Sequence, residues 1–231
     1  MSSIEEGLGK NTPSQNYENA PSSSRTYATY ARQPSRIGNP GALGLFSFAS
    51  TTFILSLYNI QTRGIHTPNV VVGMAAFCGG LVQLLAGMWE FARGNAFGAT
   101  AFGSYGAFWM SYATILIPGS GIISAYSDER ELANALGIFM IAWFMVTLFL
   151  LLASLRKMIG LALLFAFLSL TFLLLAIAEF TGKEKVTKAG GVFGTITAFI
   201  AYYVGLAGLL ASEDNPVFLL PVGMFAPRRA D

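Results

Sequence analysis

Charge is scarce in this chain. Of its 231 residues only 11% are Asp, Glu, Lys or Arg, against 54% hydrophobic, whereas soluble domains carry about a quarter charged residues. Lys and Arg number 14 and Asp and Glu 12, a formal net charge of +2, too small a surplus to grip nucleic acid. Cysteine and histidine are nearly missing as well. One Cys cannot close an intrachain disulfide, and one Cys with one His cannot build a His/Cys zinc site. These shortages exclude a soluble enzyme, a nucleic-acid module and a disulfide-stapled secreted domain. A polytopic membrane protein remains.

Residues 1–36 contain no apolar run longer than two residues and are rich in Ser, Asn, Thr, Pro and Tyr. Such a stretch cannot bury enough apolar surface to offset its ordering entropy, which predicts a disordered tail. No apolar h-region marks a signal peptide. From residue 37 long uncharged stretches alternate with short charged joints. A helix needs about 20 mainly apolar residues to cross the hydrocarbon core. Six segments qualify, at 43–60, 68–89, 97–117, 134–155, 159–180 and 190–211. The expected architecture is an all-α membrane protein with six transmembrane helices across 37–212, followed by a short C-terminal tail at 213–231. The lipid bilayer is then its first partner.

Neither His nor Asp occurs inside the six segments. Haem or copper chemistry needs His ligands, and intramembrane proteolysis needs paired Asp or a Ser/His pair. The chain therefore reads as a non-enzyme without cofactors. Orientation follows the positive-inside rule. With both termini cytoplasmic, the inner side holds nine of the 14 basic residues: Lys10, Arg25, Arg32, Arg36, Arg93, Arg156, Lys157, Arg228 and Arg229. Arg63, Arg130, Lys183, Lys185 and Lys188 lie outside.

Small residues form stripes. Gly73, Gly80 and Gly87 share one face of the second segment, and Gly194, Ala198, Ala201, Gly205 and Gly208 run along the sixth. Lipid supplies no hydrophobic drive between helices, so such stripes mark close backbone approach, within one subunit by default or between subunits. A fainter echo is also present. Gly41, Gly98 and Gly160 open the odd-numbered segments, each with an aromatic residue seven positions on: Phe48, Tyr105 and Phe167. This suggests three pseudo-repeated helix pairs around a central path.

Polar groups inside the membrane are few. Glu90 closes the second segment and Glu179 nearly ends the fifth; both read as interfacial and solvated, with proton handling as the functional alternative. Gln83 sits in mid-span, where an amide with four hydrogen-bonding positions must face a partner or a water-filled path. Rings of carboxylates for cations, or of Arg and Lys for anions, are missing from the spans. Neutral amides and hydroxyls among aromatics suit a small solute, a short carboxylic acid or ammonia.

The run Asn39-Pro40-Gly41-Ala42-Leu43-Gly44-Leu45 resembles the N-P-A-P-L-G-L signature of the acetate uptake transporter family, which joins bacterial succinate–acetate permeases with fungal acetate and ammonia transporters. Gly79-Gly80-Leu81-Val82-Gln83 with Ala86-Gly87 and Glu90, Gly94-Asn95 with Phe97-Gly98, Ser104-Tyr105-Gly106-Ala107-Phe108-Trp109 and Ser169-Leu170-Thr171 follow in the family's order. The Ser-rich tail suggests the fungal branch. The resemblance implies a homohexamer in the plasma membrane, each subunit carrying acetate and similar monocarboxylates, generally with protons, or by a channel-like path gated at an apolar ring.

Phe48, Tyr105 and Leu170 correspond to the narrow point, Asn39, Thr51 and Gln83 are the substrate-binding candidates, and Glu90 and Glu179 the proton-handling ones. Gly41 and Ala42 depart from the signature's Ala-Pro, which removes a fixed φ and restores an N–H. Two alternatives stand beside acetate transport: ammonia or ammonium export, and a non-transporting sensor or scaffold that signals through the N-terminal tail. Deleting residues 2–36 separates the last. Flux measured in whole cells should survive the deletion in a transporter, whereas a tail-signalling scaffold should lose its output.

Overall fold

A computed structural model describes residues 37–224. The tail expected over 1–36 and the last residues of the C-terminal tail lie outside the described residues. Six long helices occupy the predicted places: α1 (Gly41–Asn59), α2 (Val71–Ala92), α3 (Ala96–Leu116), α4 (Glu129–Ser154), α5 (Ile159–Thr181) and α6 (Glu184–Leu210). The fourth and sixth begin five and six residues before their apolar stretches, because the charged turns at Glu129–Glu131 and Glu184–Lys188 are helical. Among the described residues there is no strand, only one isolated antiparallel bridge between Met158 and Met224.

Local chemistry sets the helix ends. The Asn39 side chain accepts from the Gly41 N–H at 3.0 Å, occupying one of the unpaired donors at the start of α1. Asn95 caps α3 through the Gly98 N–H at 3.3 Å, and Asp128 caps α4 through the Arg130 N–H at 2.9 Å. Helix α5 ends at Gly182 with φ +64, the left-handed conformation that glycine adopts without penalty. Its start has an unusual cap. The N–H groups of Ile159 and Gly160 donate to the carbonyls of Gly223 (2.9 Å) and Val222 (3.2 Å), so the stretch after α6 folds back over α5. Tyr203 fixes the same segment by donating its hydroxyl to the Pro221 carbonyl.

Five of the six helices are long and apolar enough to cross a membrane. Helix α3 has the length, 21 residues, but its Gly, Ser and Thr content lowers its hydropathy. It compensates by position: its buried face carries Tyr105, Phe108 and Trp109 into the core. Phe108 lies within ring-contact distance of Trp109, Tyr112, Phe139, Trp143 and Phe172, so one aromatic cluster joins α3, α4 and α5. The most extensive packing is α1 with α6, α4 with α5, α5 with α6, and α2 with α3. Helices α3 and α4, separated by a long connection with two short 3-10 turns, keep their backbones apart and meet through side chains, Tyr105 and Phe108 against Phe139, Trp143 and Thr147.

Most positions of the small-residue stripes make close contacts within the subunit. On α6, a Cβ at Gly191 would stand 2.7 Å from the Ser56 carbonyl oxygen, and one at Gly205 3.1 Å from the Phe46 ring, both on α1. On α2, a Cβ at Gly87 would stand 2.7 Å from the backbone nitrogen of Gly103 on α3, whereas Gly73 has open space around it. Substituting Gly87 by Leu should therefore destabilise the protein by about 1–3 kcal/mol or more, and Gly73→Leu should leave it unchanged. Thermal unfolding in detergent, followed by size-exclusion chromatography of heated samples, tests the pair.

Candidate functional site

A cavity of about 220 Å³ opens among the starts of α1, α3 and α5. Its mouth is polar: Asn39 before α1, Glu90 on α2 and Asn95 before α3. Its floor is apolar, with Phe48 and Tyr105 beside Leu164 and Phe165 of α5. Between the two stands Gln83. It is 1% exposed, and neither Nε2 nor Oε1 has a hydrogen-bond partner in the protein. A buried amide with both ends unpaired costs several kcal/mol in an apolar setting, which singles it out as a group awaiting a ligand or water.

A second, smaller cavity of about 30 Å³ continues beyond Phe48, lined by Thr52, Ser56 and Asn59 of α1, Trp109 of α3, and Leu168 and Thr171 of α5. It has room for roughly one or two waters. Thr52 Oγ1 and Trp109 Nε1, both buried, also lack partners. Phe48 lines both cavities and so stands as the septum between them. Its ring lies 5.4 Å from that of Tyr105, and Tyr105 is held by a 2.9 Å hydrogen bond between its hydroxyl and Thr147 Oγ1 on α4.

The structure brings together Asn39, Gln83, Glu90, Phe48 and Tyr105, and leaves the other sequence-derived candidates apart. Leu170 is 43% exposed on the outer face of α5. The face of α5 that lines the cavities runs through Leu161, Leu164, Leu168, Thr171 and Leu175, steps of three and four that pass Leu170 by. Leu168, not Leu170, lines the second cavity together with Phe48. Thr51 is buried but lines neither cavity. Its hydroxyl donates to the Ser47 carbonyl at 2.9 Å, and it fills the contact with Gly79 of α2, whose Cβ would approach Thr51 Oγ1 to 2.7 Å. The neighbouring Thr52, four residues after Phe48, lines the second cavity with its hydroxyl unpartnered.

The two carboxylates also divide. Glu179 is half-buried near the end of α5 and lines neither cavity. Glu90 is 2% exposed, contrary to its expected solvated, interfacial place. The first turns of α1 and α3 close over it, and the missing side chains of Gly41 and Gly98 leave the space that its carboxylate fills. Asn95 Nδ2 donates to Glu90 Oε2 at 2.9 Å. Arg93 lies 3.7 Å from Oε1 and donates to Asn39 Oδ1 at 2.7 Å. Asn95, Trp109 and Leu168 escaped the sequence reading as path residues. For Asn95 the signal was available, since a capping amide five residues after a carboxylate can turn back to it.

Six helices around a two-chambered polar–apolar path define a membrane transport protein, not an enzyme. The comparisons with known proteins agree. The profile of the GPR1/FUN34/yaaH family matches residues 23–226, and the chain belongs to that family. It is 48% identical over 190 residues to Ammonia transport outward protein 2 of Saccharomyces cerevisiae, covering 82% of this chain and 67% of the relative. It is 44% identical over 201 residues to Acetate permease A of Emericella nidulans, covering 82% and 67%. Among solved structures, that of the bacterial acetate channel SatP superposes with a TM-score of 0.72 at 32% identity, covering 81% of this chain and all of that one.

Proposed function

We propose that this protein carries acetate and related short monocarboxylates across the plasma membrane along the path from the inner cavity, past Phe48 and Tyr105, to the second cavity. The unpaired amide of buried Gln83, opening on a cavity with a polar mouth and an apolar floor, is the observation that carries this reading. A short carboxylate matches that polarity. Its oxygens can accept from Gln83 Nε2, and its methyl group can pass the Phe48–Tyr105 ring, an apolar constriction that holds back strongly hydrated ions. The family relatives named for acetate and the acetate channel support the same substrate.

Ammonia is the second reading, favoured by the relatives named for outward ammonia transport; it would use Gln83 Oε1 as acceptor instead. In the proposed assembly the subunit joins a homohexamer with both termini cytoplasmic, and Leu168 takes the third place at the constriction.

Uptake of labelled acetate into proteoliposomes, with empty liposomes subtracted, tests the transport reading. Gln83→Leu should retain the folded protein with stability within about 1 kcal/mol of the parent, because no internal hydrogen bond is lost. Acetate uptake by this variant should fall by roughly tenfold or more. Uptake left at the parental rate would remove Gln83 from the path, and ammonia flux surviving without acetate flux would favour the second reading. Phe48→Ala should shift the butyrate-to-acetate flux ratio by roughly tenfold, equivalent to about 1.4 kcal/mol of barrier. An unchanged ratio would show that the septum is not the selective step.

A further inference from the structure

The stretch after α6 is a strap, not a free tail. Residues 216–224, Pro-Val-Phe-Leu-Leu-Pro-Val-Gly-Met, carry no charge, yet Val217, Leu219 and Met224 are 89%, 69% and 74% exposed. The backbone behind them is pinned. Tyr203 donates to the Pro221 carbonyl at 2.8 Å, and the N–H groups of Ile159 and Gly160 donate to Gly223 and Val222. Tyr203 lies seven residues before the end of α6 at Leu210, so the strap returns about 10 Å along that helix.

Between the strap and the outer faces of α5 and α6 runs a cleft of about 430 Å³, distinct from the two cavities of the path. Ile159 and Leu163 of α5, Phe199 and Tyr203 of α6, and the strap residues Pro221, Val222 and Gly223 line it. Its polar groups are already used, because the Tyr203 hydroxyl and the two N–H groups of α5 all donate to strap carbonyls. Among the described residues no buried, unpartnered side-chain atom belongs to it. That is the reverse of the cavity at Gln83, and it selects an apolar ligand. Leu163 and Phe199 each lie one turn deeper than Ile159 and Tyr203, so the cleft runs along the helices, as an acyl chain does in a bilayer. It has room for on the order of a dozen methylene groups, each taking about the space of a liquid water.

One end of the cleft is basic. The turn before α5 carries Arg156 and Lys157, and the next residue, Met158, pairs with Met224 of the strap. Lys157 holds its ammonium 4.8 Å from the centroid of Phe97. Arg156 is exposed and, among the described residues, in no ion pair. The acidic Glu213 and Asp214 precede the opposite end of the strap. A guanidinium matches a phosphate through two parallel N–H donors.

We propose that the cleft seats one acyl chain of an anionic phospholipid, with its phosphate at Arg156 and the strap residues Val217, Leu219 and Met224 in the same leaflet. The choice of an anionic headgroup rests on the basic turn and on the orientation proposed above, which puts this end on the cytoplasmic side, where anionic lipids gather. The seat backs the path. A Cβ on Gly160 would stand 2.9 Å from Val204, and Val204 lines the main cavity. A lipid held here supports the α5–α6 wall of that cavity from behind.

Native mass spectrometry of the purified full-length protein in detergent, after equal additions of dioleoyl phosphatidylglycerol or dioleoyl phosphatidylcholine, tests this. Wild type should retain phosphatidylglycerol over phosphatidylcholine by roughly fivefold, the preference that one basic residue near a phosphate supplies. Leu163→Trp, which fills the cleft, should cut retention of both lipids by roughly tenfold. Arg156→Gln should bring phosphatidylglycerol down to the phosphatidylcholine level and leave the latter unchanged. Arg156 is on the surface, so this variant decides even where Leu163→Trp fails to fold. Retention by Leu163→Trp equal to wild type, or an undiminished phosphatidylglycerol preference in Arg156→Gln, would overturn the proposal, as would wild type that holds neither lipid. Dissociation of an oligomer in Leu163→Trp, with the lipid count per subunit unchanged, would overturn it in favour of a second copy of the chain on this face.

Discussion

The cavities exist because glycine lets four helices come closer than side chains would allow. Lipid rewards no apolar contact between helices, so their association must come from backbone proximity and dispersion. Here α6 meets α1 at Gly191, Gly194 and Gly205, and α2 meets α3 at Gly87 and Gly106. With those contacts closed, the larger side chains of these helices are forced to the remaining interior, where Phe48 of α1 and Tyr105 of α3 meet Phe165 and Phe172 of α5. A cavity left between tight seams is held open by rigid walls instead of filled by collapse. The same argument accounts for the location of Glu90, which occupies the space that two missing Cβ atoms release.

Hydrogen bonding sorts the polar residues into two groups. Thr51, Ser111, Thr114, Thr147, Ser169, Thr171 and Thr197 each donate to the carbonyl four residues back, which satisfies the hydroxyl inside its own helix. Gln83, Thr52 and Trp109 are buried without such a partner, and all three line a cavity. In a bilayer an unpaired polar group has no bulk water to fall back on. Its retention beside a cavity is what the proposed path rests on, and it sets Gln83 and Thr52 apart from the hydroxyls satisfied within their own helices.

Much of the fold was legible because a membrane span is a one-dimensional property: six apolar runs of the right length, with joints where charge returns. The site was legible only in part. Gln83 could be singled out from its type and mid-span position, and Phe48 and Tyr105 through the family resemblance, but the phase of α5 could not. Within an almost uniformly apolar helix such as 159–181 nothing distinguishes the inward face, and Leu168 and Leu170 are chemically equivalent until neighbours are placed. The same ambiguity put Thr51 in place of Thr52. Glu90 was misjudged for a different reason. Its burial depends on the two helix starts that close over it, and these are brought together only by tertiary packing.

Helix α2 also has a nine-residue π-helical stretch, Met74–Val82, immediately before Gln83. A π-turn closes its hydrogen bond one residue later than an α-turn, so the half of α2 after it is offset in phase from where an unbroken α-helix would put it. Gain or loss of one residue in that stretch would turn everything downstream by about 100°, carrying Gln83 and Glu90 together off the cavity wall without altering either. In evolutionary terms the stretch is a phase adjuster. A one-residue gain or loss in this stretch acts on the cavity lining as a whole, where a substitution acts on a single side chain.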